Sequence, residues 1–191
     1  MKDRQAVADE ILKRIADVET PHVVEVGVEV GKLSATLLSR RPELVLFMVD
    51  SWKHHAQQTI SYVETLDPSA LKTIEEQVDR KRQATVVAEM FPGRAFIVHE
   101  DSVHAAARFK NASFDLVFID GDHSFEGVLA DVSAWRMKVA RSGWIGGHDY
   151  ENPNPDQDMS GVKSAVDAYF GARKVETGKD WTWFLRRTDA W

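Results

Sequence analysis

Apolar residues fall along this chain in two alternating rhythms. Val7, Ile11, Ile15 and Val18 recur at helical spacing, and Thr20-Pro21 ends that first helix, expected over residues 1–20 as a cover for the sheet. Residues 22–28 (HVVEVGV) form a β-branched run interrupted by glycine, and residues 31–41 (GKLSATLLSRR) read as a helix. A second buried strand spans 44–50 (LVLFMVD). Asp67-Pro68 reads as an N-cap with proline in the first turn, opening a helix to about residue 91. A third strand covers 95–101 (AFIVHED), a short helix follows over SVHAAARF, and a fourth strand covers 114–120 (FDLVFID).

Val128, Val132, Trp135 and Val139 then mark one helix face, which Ser142-Gly143 closes. A glycine-weakened fifth strand follows at 143–149 (GWIGGHD). Past a loop rich in Pro, Asn and Asp, Val162, Ala165, Val166 and Tyr169 form another helical stripe. The tail RKVETGKDWTWFLRR reads as two strands joined at Thr177-Gly178-Lys179. Continuous apolar strands alternating with helices predict an α/β fold: a mostly parallel sheet, helices on both faces, and a C-terminal antiparallel hairpin.

Composition narrows the classes. A chain of 191 residues, 43% hydrophobic and 28% charged, suits one soluble domain spanning 1–191. The net charge of −6 argues against nucleic acid or an anionic membrane as partner. No run approaches the ~18 to 20 apolar residues that span a bilayer, and MKDRQAVADEILKR has no signal-peptide core, so a cytoplasmic location is expected. The absence of cysteine excludes disulfides and thiolate metal sites.

In open α/β sheets ligands bind beyond the carboxyl ends of the strands, and four features fall there. EVGVEVG places Glu25, Gly27 and Gly31 between the first strand and its helix, where glycine allows a tight turn and close ligand approach. Alone this fits a structural turn equally well, and Glu29 breaks the G-x-G-x-x-G dinucleotide pattern. Asp50 ends the second strand about 20 residues later, placed to accept ribose hydroxyls or to act as a solvated cap. Asp101 and Ser102 follow the third strand, placed to meet an adenine edge or to cap a helix. Finally, FIDGDHSFEG and GGHDY close the fourth and fifth strands. Neighbouring strand ends lie about 4.8 Å apart, so Asp120, His148 and Asp149 can share one cation of the Mg²⁺, Mn²⁺ or Fe²⁺ kind. The alternative is that Asp122 or Ser124 caps the next helix and His148 is a satisfied edge residue.

VVEVGVEVGKLSATLL, VDSW, HEDS, FDLVFIDGDHSFEGVLADVSAWRMKVARSGWIGGHDY and GVKSAVDAYF together resemble class I S-adenosylmethionine-dependent methyltransferases. The nearest branch is the small one related to macrocin-type and catechol-type O-methyltransferases and to cephalosporin-hydroxylase-like proteins. The resemblance implies a seven-stranded Rossmann-like sheet and a hydroxylated small-molecule acceptor. It implies that Glu25, Gly27 and Gly31 lie beneath the cofactor's methionine moiety, that Asp50 holds the ribose with Trp52 as an adenosine wall, and that Asp101 and Ser102 address the adenine. Asp120 would border the cofactor and, with His148 and Asp149, hold Mg²⁺ or another divalent cation; His148 stands where the metal-dependent relatives carry Asp or Glu. Asp122 is the favoured base, with His123 the alternative. KHHAQQTISYVETL (53–66) and YENPNPDQDMSG (150–161) are candidate acceptor-site segments, and Trp52 and Trp144 are the tryptophans expected near the site. Arg80-Lys81-Arg82 reads as a solvated helix face. An NAD-dependent oxidoreductase, a non-catalytic cofactor-binding module, hydroxylase-like metal chemistry and N-methylation stay open, as does homo-oligomerisation.

Overall fold

The computed structural model describes residues 4–171 and 175–188. Arg173 and Lys174, which open the anticipated hairpin, lie outside the described residues. Seven strands form one sheet: β1 (His22–Val26), β2 (Val45–Asp50), β3 (Ala95–His99), β4 (Phe114–Ile119), β5 (Val139–Gly147), β6 (Glu176–Thr177) and β7 (Trp183–Arg186). Their spatial order is β3-β2-β1-β4-β5-β7-β6. The first five run parallel, and β7 lies antiparallel to β5 and to β6. The Rossmann-like sheet and its terminal antiparallel pair are as the apolar runs predict.

Among the described residues there are seven α-helices: α1 (Arg4–Arg14), α2 (Lys32–Arg40), α3 (Ile60–Glu64), α4 (Ile74–Glu89), α5 (Ser102–Ala107), α6 (Phe125–Trp135) and α7 (Ser160–Phe170). On one face Val7, Ala8 and Ile11 of α1 pack with Leu33 and Leu37 of α2 against Leu46, Leu116 and Phe118. On the other, Val128, Val132 and Trp135 of α6 and Val162 and Val166 of α7 pack against Val24, Val117 and Ile145. The central strands send side chains to both cores, as Leu46 and Val49 of β2 and Leu116 and Val117 of β4 do. The apolar runs are continuous for that reason.

Element boundaries differ from the sequence reading, and α1 ends at Arg14, short of the expected stop at Thr20-Pro21. The helix expected from Asp67-Pro68 begins at Ile74, behind a capping box in which Thr73 Oγ1 accepts from Glu76 N and Glu76 Oε2 accepts from Thr73 N. Asp67 instead makes a local turn, accepting from Ser69 N at 2.7 Å, and its other oxygen is used elsewhere. Val139, read as the end of a helical stripe, is already in β5. Ser142-Gly143 does not terminate a helix but interrupts β5, with Ser142 at φ 65 and a register shift against β4. A Cβ on Gly143 would lie 2.7 Å from the Asp115 carbonyl oxygen, so glycine lets the distorted strand stay paired.

Strand order reverses between β1, which leads outward to β2, and β4, which leads outward to β5. The crevice at that switch point, beyond the strands' carboxyl ends, is where such sheets hold ligands.

Candidate active site

The β1–α2 turn sets the floor of the crevice. Gly27 sits at φ 87 and Gly31 at φ 81. A Cβ on Gly27 would stand 2.1 Å from the Asp120 carbonyl oxygen, so no other residue lets β1 turn this close to the end of β4. Glu25 lies below the turn, 2% exposed, and accepts from Ser34 Oγ at 2.5 Å. Burial pushes its carboxyl up to about 8, against the pull of the Ser34 hydrogen bond and of Arg4. It does not line the crevice.

Asp50 closes β2 and accepts backbone N–H groups from Glu29 (2.9 Å) and Trp52 (2.8 Å). Burial raises its pKa, and those hydrogen bonds work the other way. It lines the cavity with its carboxyl group held by two loops. Trp52 takes a different place from the expected adenosine wall. Its indole is 6% exposed in the core, its Nε1 donates to the Glu29 carbonyl at 2.8 Å, and it ties the β2 end to the glycine turn. Trp144 is likewise away from the cavity, packed against the α1-side core beneath the Arg14 and Arg186 guanidiniums.

A cavity of about 610 Å³ joins these groups, within the usual size of a small-molecule site. It is lined by Gly27 and Asp50, by Asp101 and Ser102, by Asp120, Asp122 and His123, and by Gln57, Thr59 and Tyr62 of the segment over its mouth. Asp101 is half-exposed and pairs with Lys53 at 2.5 Å; it flanks the start of α5 without a side-chain capping bond. The Ser102 hydroxyl accepts from Trp135 Nε1 at 2.8 Å and is committed inside the protein. The 53–66 segment and the 150–161 loop do meet, since Asp158 N donates to the Thr65 carbonyl at 2.8 Å.

At the ends of β4 and β5 the sequence-predicted trio lies together, and His123 joins it. Asp120, His123 and Asp149 bring one ligand atom each to within 4.8 Å of one another, all buried. His123 Nε2 lies 3.3 Å from Asp120 Oδ1 and 3.2 Å from Asp149 Oδ2. His148, the expected ligand, lies against that group, with Nδ1 3.8 Å from Asp120 Oδ1. It is fully buried beside Asp149, with Nδ1 2.9 Å from Asp149 Oδ2 and Nε2 facing Asp180 Oδ2 at 3.1 Å. Asp149 itself stands at φ 62, in the left-handed region.

Asp122 Oδ1 accepts from Ser124 N at 2.8 Å, and Ser124 Oγ caps α6 by accepting from Gly127 N at 3.1 Å. The other Asp122 oxygen faces the cavity, 3.3 Å from Thr59 Oγ1.

Three residues that local patterns did not flag complete the site. Asp67 Oδ2 lies 2.5 Å from His123 Nδ1, both groups buried, so the ring donates there and turns Nε2 toward the two carboxylates. Arg4 of α1 reaches Asp120 Oδ2 at 2.6 Å and Glu29 Oε2 at 3.7 Å. Burial works against its charge, and Asp120 more than offsets this, leaving the guanidinium pKa above its ordinary value. Arg80, read as part of a solvated face, reaches Glu29 Oε1 at 3.0 Å and lines the cavity. Arg82 keeps the expected exposed position beside Asp79.

The donor set is chemically coherent. Asp67 fixes Nδ1 as the protonated nitrogen, leaving Nε2 to carry either a proton or a cation between two carboxylates. One imidazole nitrogen and two carboxylate oxygens fit a divalent ion of the Mn²⁺ or Mg²⁺ class.

The fold, with its crevice, is that of class I methyltransferases. A family model described as a methyltransferase domain matches residues 24–150, and the chain belongs to that family. No curated protein sequence matches it. Among solved structures, the calicheamicin methyltransferase CalS11 aligns at a TM-score of 0.69 and 16% identity, over 96% of this chain and 78% of that one. The O-methyltransferase NovP aligns at 0.64 and 16%, over 97% and 77%. A spermidine synthase from Thermotoga maritima aligns at 0.56 and 15%, over 97% of this chain and 59% of that one. These likenesses are of fold, and the spermidine synthase illustrates that one fold hosts different chemistries. No described helix is long and apolar enough to cross a membrane.

Proposed function

We propose that this methyltransferase uses S-adenosylmethionine to methylate a hydroxyl of a small molecule, with a divalent cation assisting. One observation carries the reading: the Gly27 turn, the Asp50 carboxylate and the Asp120–His123 pair open onto the same cavity. When bound, the cofactor supplies an electrophilic methyl group on a sulfonium, and the acceptor oxygen forms the new bond as sulfur keeps the old bonding pair. Gly27 leaves bare backbone for the methionine end. Asp50 has lone pairs beyond those used by Glu29 and Trp52, which suits ribose hydroxyls. Asp120, His123 and Asp149 are the residues that would hold the cation, whose charge would lower the proton affinity of the acceptor hydroxyl. Asp122 takes the proton: Ser124 N fixes one of its oxygens and the other is directed at the cavity.

The Asp67–His123 contact favours a second reading for the base. Without a cation the pair is an acid-oriented imidazole, and Nε2 would accept the proton. The net charge of −6 supports a small-molecule acceptor over nucleic acid or an anionic membrane. To test the reading, purified protein is offered a panel of hydroxylated acceptors with S-adenosylmethionine, and S-adenosylhomocysteine release is followed with EDTA, Mg²⁺ or Mn²⁺. Release that needs both a hydroxylated acceptor and the metal supports cation-assisted O-methylation. Full release in EDTA would move the proton to His123, and release only with amine acceptors would overturn O-methylation.

A further inference from the structure

The terminal hairpin reaches the strand-end cluster in a way that its place in the sheet does not require. Its turn is Lys179-Asp180-Trp181-Thr182, closed by Thr182 N donating to the Lys179 carbonyl at 3.2 Å. Asp180 and Trp181 stand at φ 52 and φ 53, the sign that both central positions of a type I′ turn demand. Asparagine and glycine are the usual occupants, and a bulky Trp at positive φ is strained. Such strain persists only where the surroundings hold it, and it gathers at functional sites.

What holds the tip is the stretch around Asp149. The Trp181 carbonyl accepts from Tyr150 N at 3.0 Å, and Asp180 Oδ2 lies 3.1 Å from His148 Nε2. The two central turn residues thus grip the neighbours on either side of Asp149, itself left-handed at φ 62. Gly147 permits the approach, since a Cβ there would stand 2.7 Å from Trp183 Nε1 of the hairpin. Asp180 is a hairpin-tip acid turned inward, its side chain 10% exposed, although a solvated aspartate would serve the turn as well.

His148 is satisfied on one side only. Its side chain is wholly buried, and Nε2 meets Asp180. Nδ1 makes no hydrogen bond among the described residues. It lies 2.9 Å from Asp149 Oδ2 and 3.8 Å from Asp120 Oδ1, but neither contact is aligned for an N–H donor. A buried imidazole kept for packing alone would have both nitrogens paired. A proton on Nε2, drawn by Asp180, leaves the Nδ1 lone pair beside two carboxylates. That is how an outer carboxylate fixes a metal-ligating imidazole.

We infer that Asp180 is the positioning residue that presents His148 Nδ1 to the cation site, so that the C-terminal hairpin completes the set of Asp120, His123 and Asp149. This rests on the divalent cation proposed above. The test is titration of the purified, EDTA-treated full chain with Mn²⁺, following loss of the free ion's electron paramagnetic resonance signal. The wild type should bind the ion. Asp180→Ala should bind it about 10- to 100-fold more weakly, the usual effect of losing an outer-shell partner. Asp180→Asn keeps an acceptor for Nε2–H and should fall between the two; it is the readout if the alanine variant does not fold. Glu176→Gln removes a charge elsewhere in the same hairpin and should match the wild type.

A hairpin that only supports the fold would affect Mn²⁺ binding whatever residue stands at position 148. Acting through His148, the Asp180 substitution should have no further effect in a His148→Ala background. Wild-type affinity in the Asp180 variants would overturn the inference. So would an undiminished effect of the substitution in the absence of His148, or an equal loss in Glu176→Gln. Each of those results leaves the cation itself standing. If the wild type binds no Mn²⁺, the proposed cation falls and this inference falls with it.

Discussion

Glu25→Gln should stabilise this protein at alkaline pH while leaving it nearly unchanged in mild acid. The wild-type carboxyl is 2% exposed, and burial moves it from 4.5 to about 8. The folded state therefore binds a proton more tightly than the unfolded chain. Stability from this group is fully present below pH 4.5 and is lost as pH rises through about 8. At 1.36 kcal/mol per pH unit the full excursion is roughly 5 kcal/mol, of which about 3 kcal/mol is already lost at neutrality. Glutamine keeps the shape and can still accept from Ser34 Oγ, but carries no charge to bury.

The assay is urea unfolding of wild type and variant from pH 5 to pH 9, with the difference taken at each pH. Asp131, whose carboxyl also titrates high, is common to both proteins and cancels. The difference should be about 1 kcal/mol or less at pH 5 and should grow by several kcal/mol in favour of glutamine by pH 9. A pH-independent difference, or a variant that loses stability as pH rises relative to wild type, would refute the reasoning. Such a result would mean that Arg4 and Ser34 hold Glu25 ionised in the fold.

Other outcomes follow from the same geometry. Gly27→Ala combines a left-handed φ of 87 with a Cβ 2.1 Å from the Asp120 carbonyl; it should cost about 3 kcal/mol in a denaturant melt and abolish S-adenosylhomocysteine binding, and retained binding would count against the turn as the ligand's floor. Thr73→Ala removes one arm of the α4 capping box and should cost about 1 kcal/mol without altering ligand affinity, as melts and calorimetry together would report. Asp122→Asn should leave cofactor affinity within about twofold and lower turnover by about 10² or more, measured as S-adenosylhomocysteine release with a responsive acceptor; unchanged turnover would pass the base role to His123.

The sheet was legible because its strands are buried on both faces and read as unbroken apolar runs. Gly27 and Asp50 were legible because sequence places them at the ends of such runs. The residues that complete the site were not, because their partners are distant in sequence. Arg4 meets Asp120 across 116 positions and Asp67 meets His123 across 56. No local rule distinguishes Asp67-Pro68 as a helix start from Asp67 as a tertiary partner. The actual start carried its own signal, Thr73 followed three residues later by Glu76, which the Asp-Pro pair outweighed. His148 and His123 both lie beside the strand-end carboxylates, and that His123 also meets them needs the tertiary contact with Asp67. The Val139 boundary failed for a related reason: Val at helical spacing and Val in a buried strand look alike over one residue.

The most direct measurement is calorimetric titration of EDTA-treated protein with S-adenosylhomocysteine, with NADH as the control. Micromolar binding of S-adenosylhomocysteine alone is the predicted result. No binding, or a preference for NADH, would contradict the assignment of the crevice at the ends of β1, β2 and β4 to a sulfonium methyl donor.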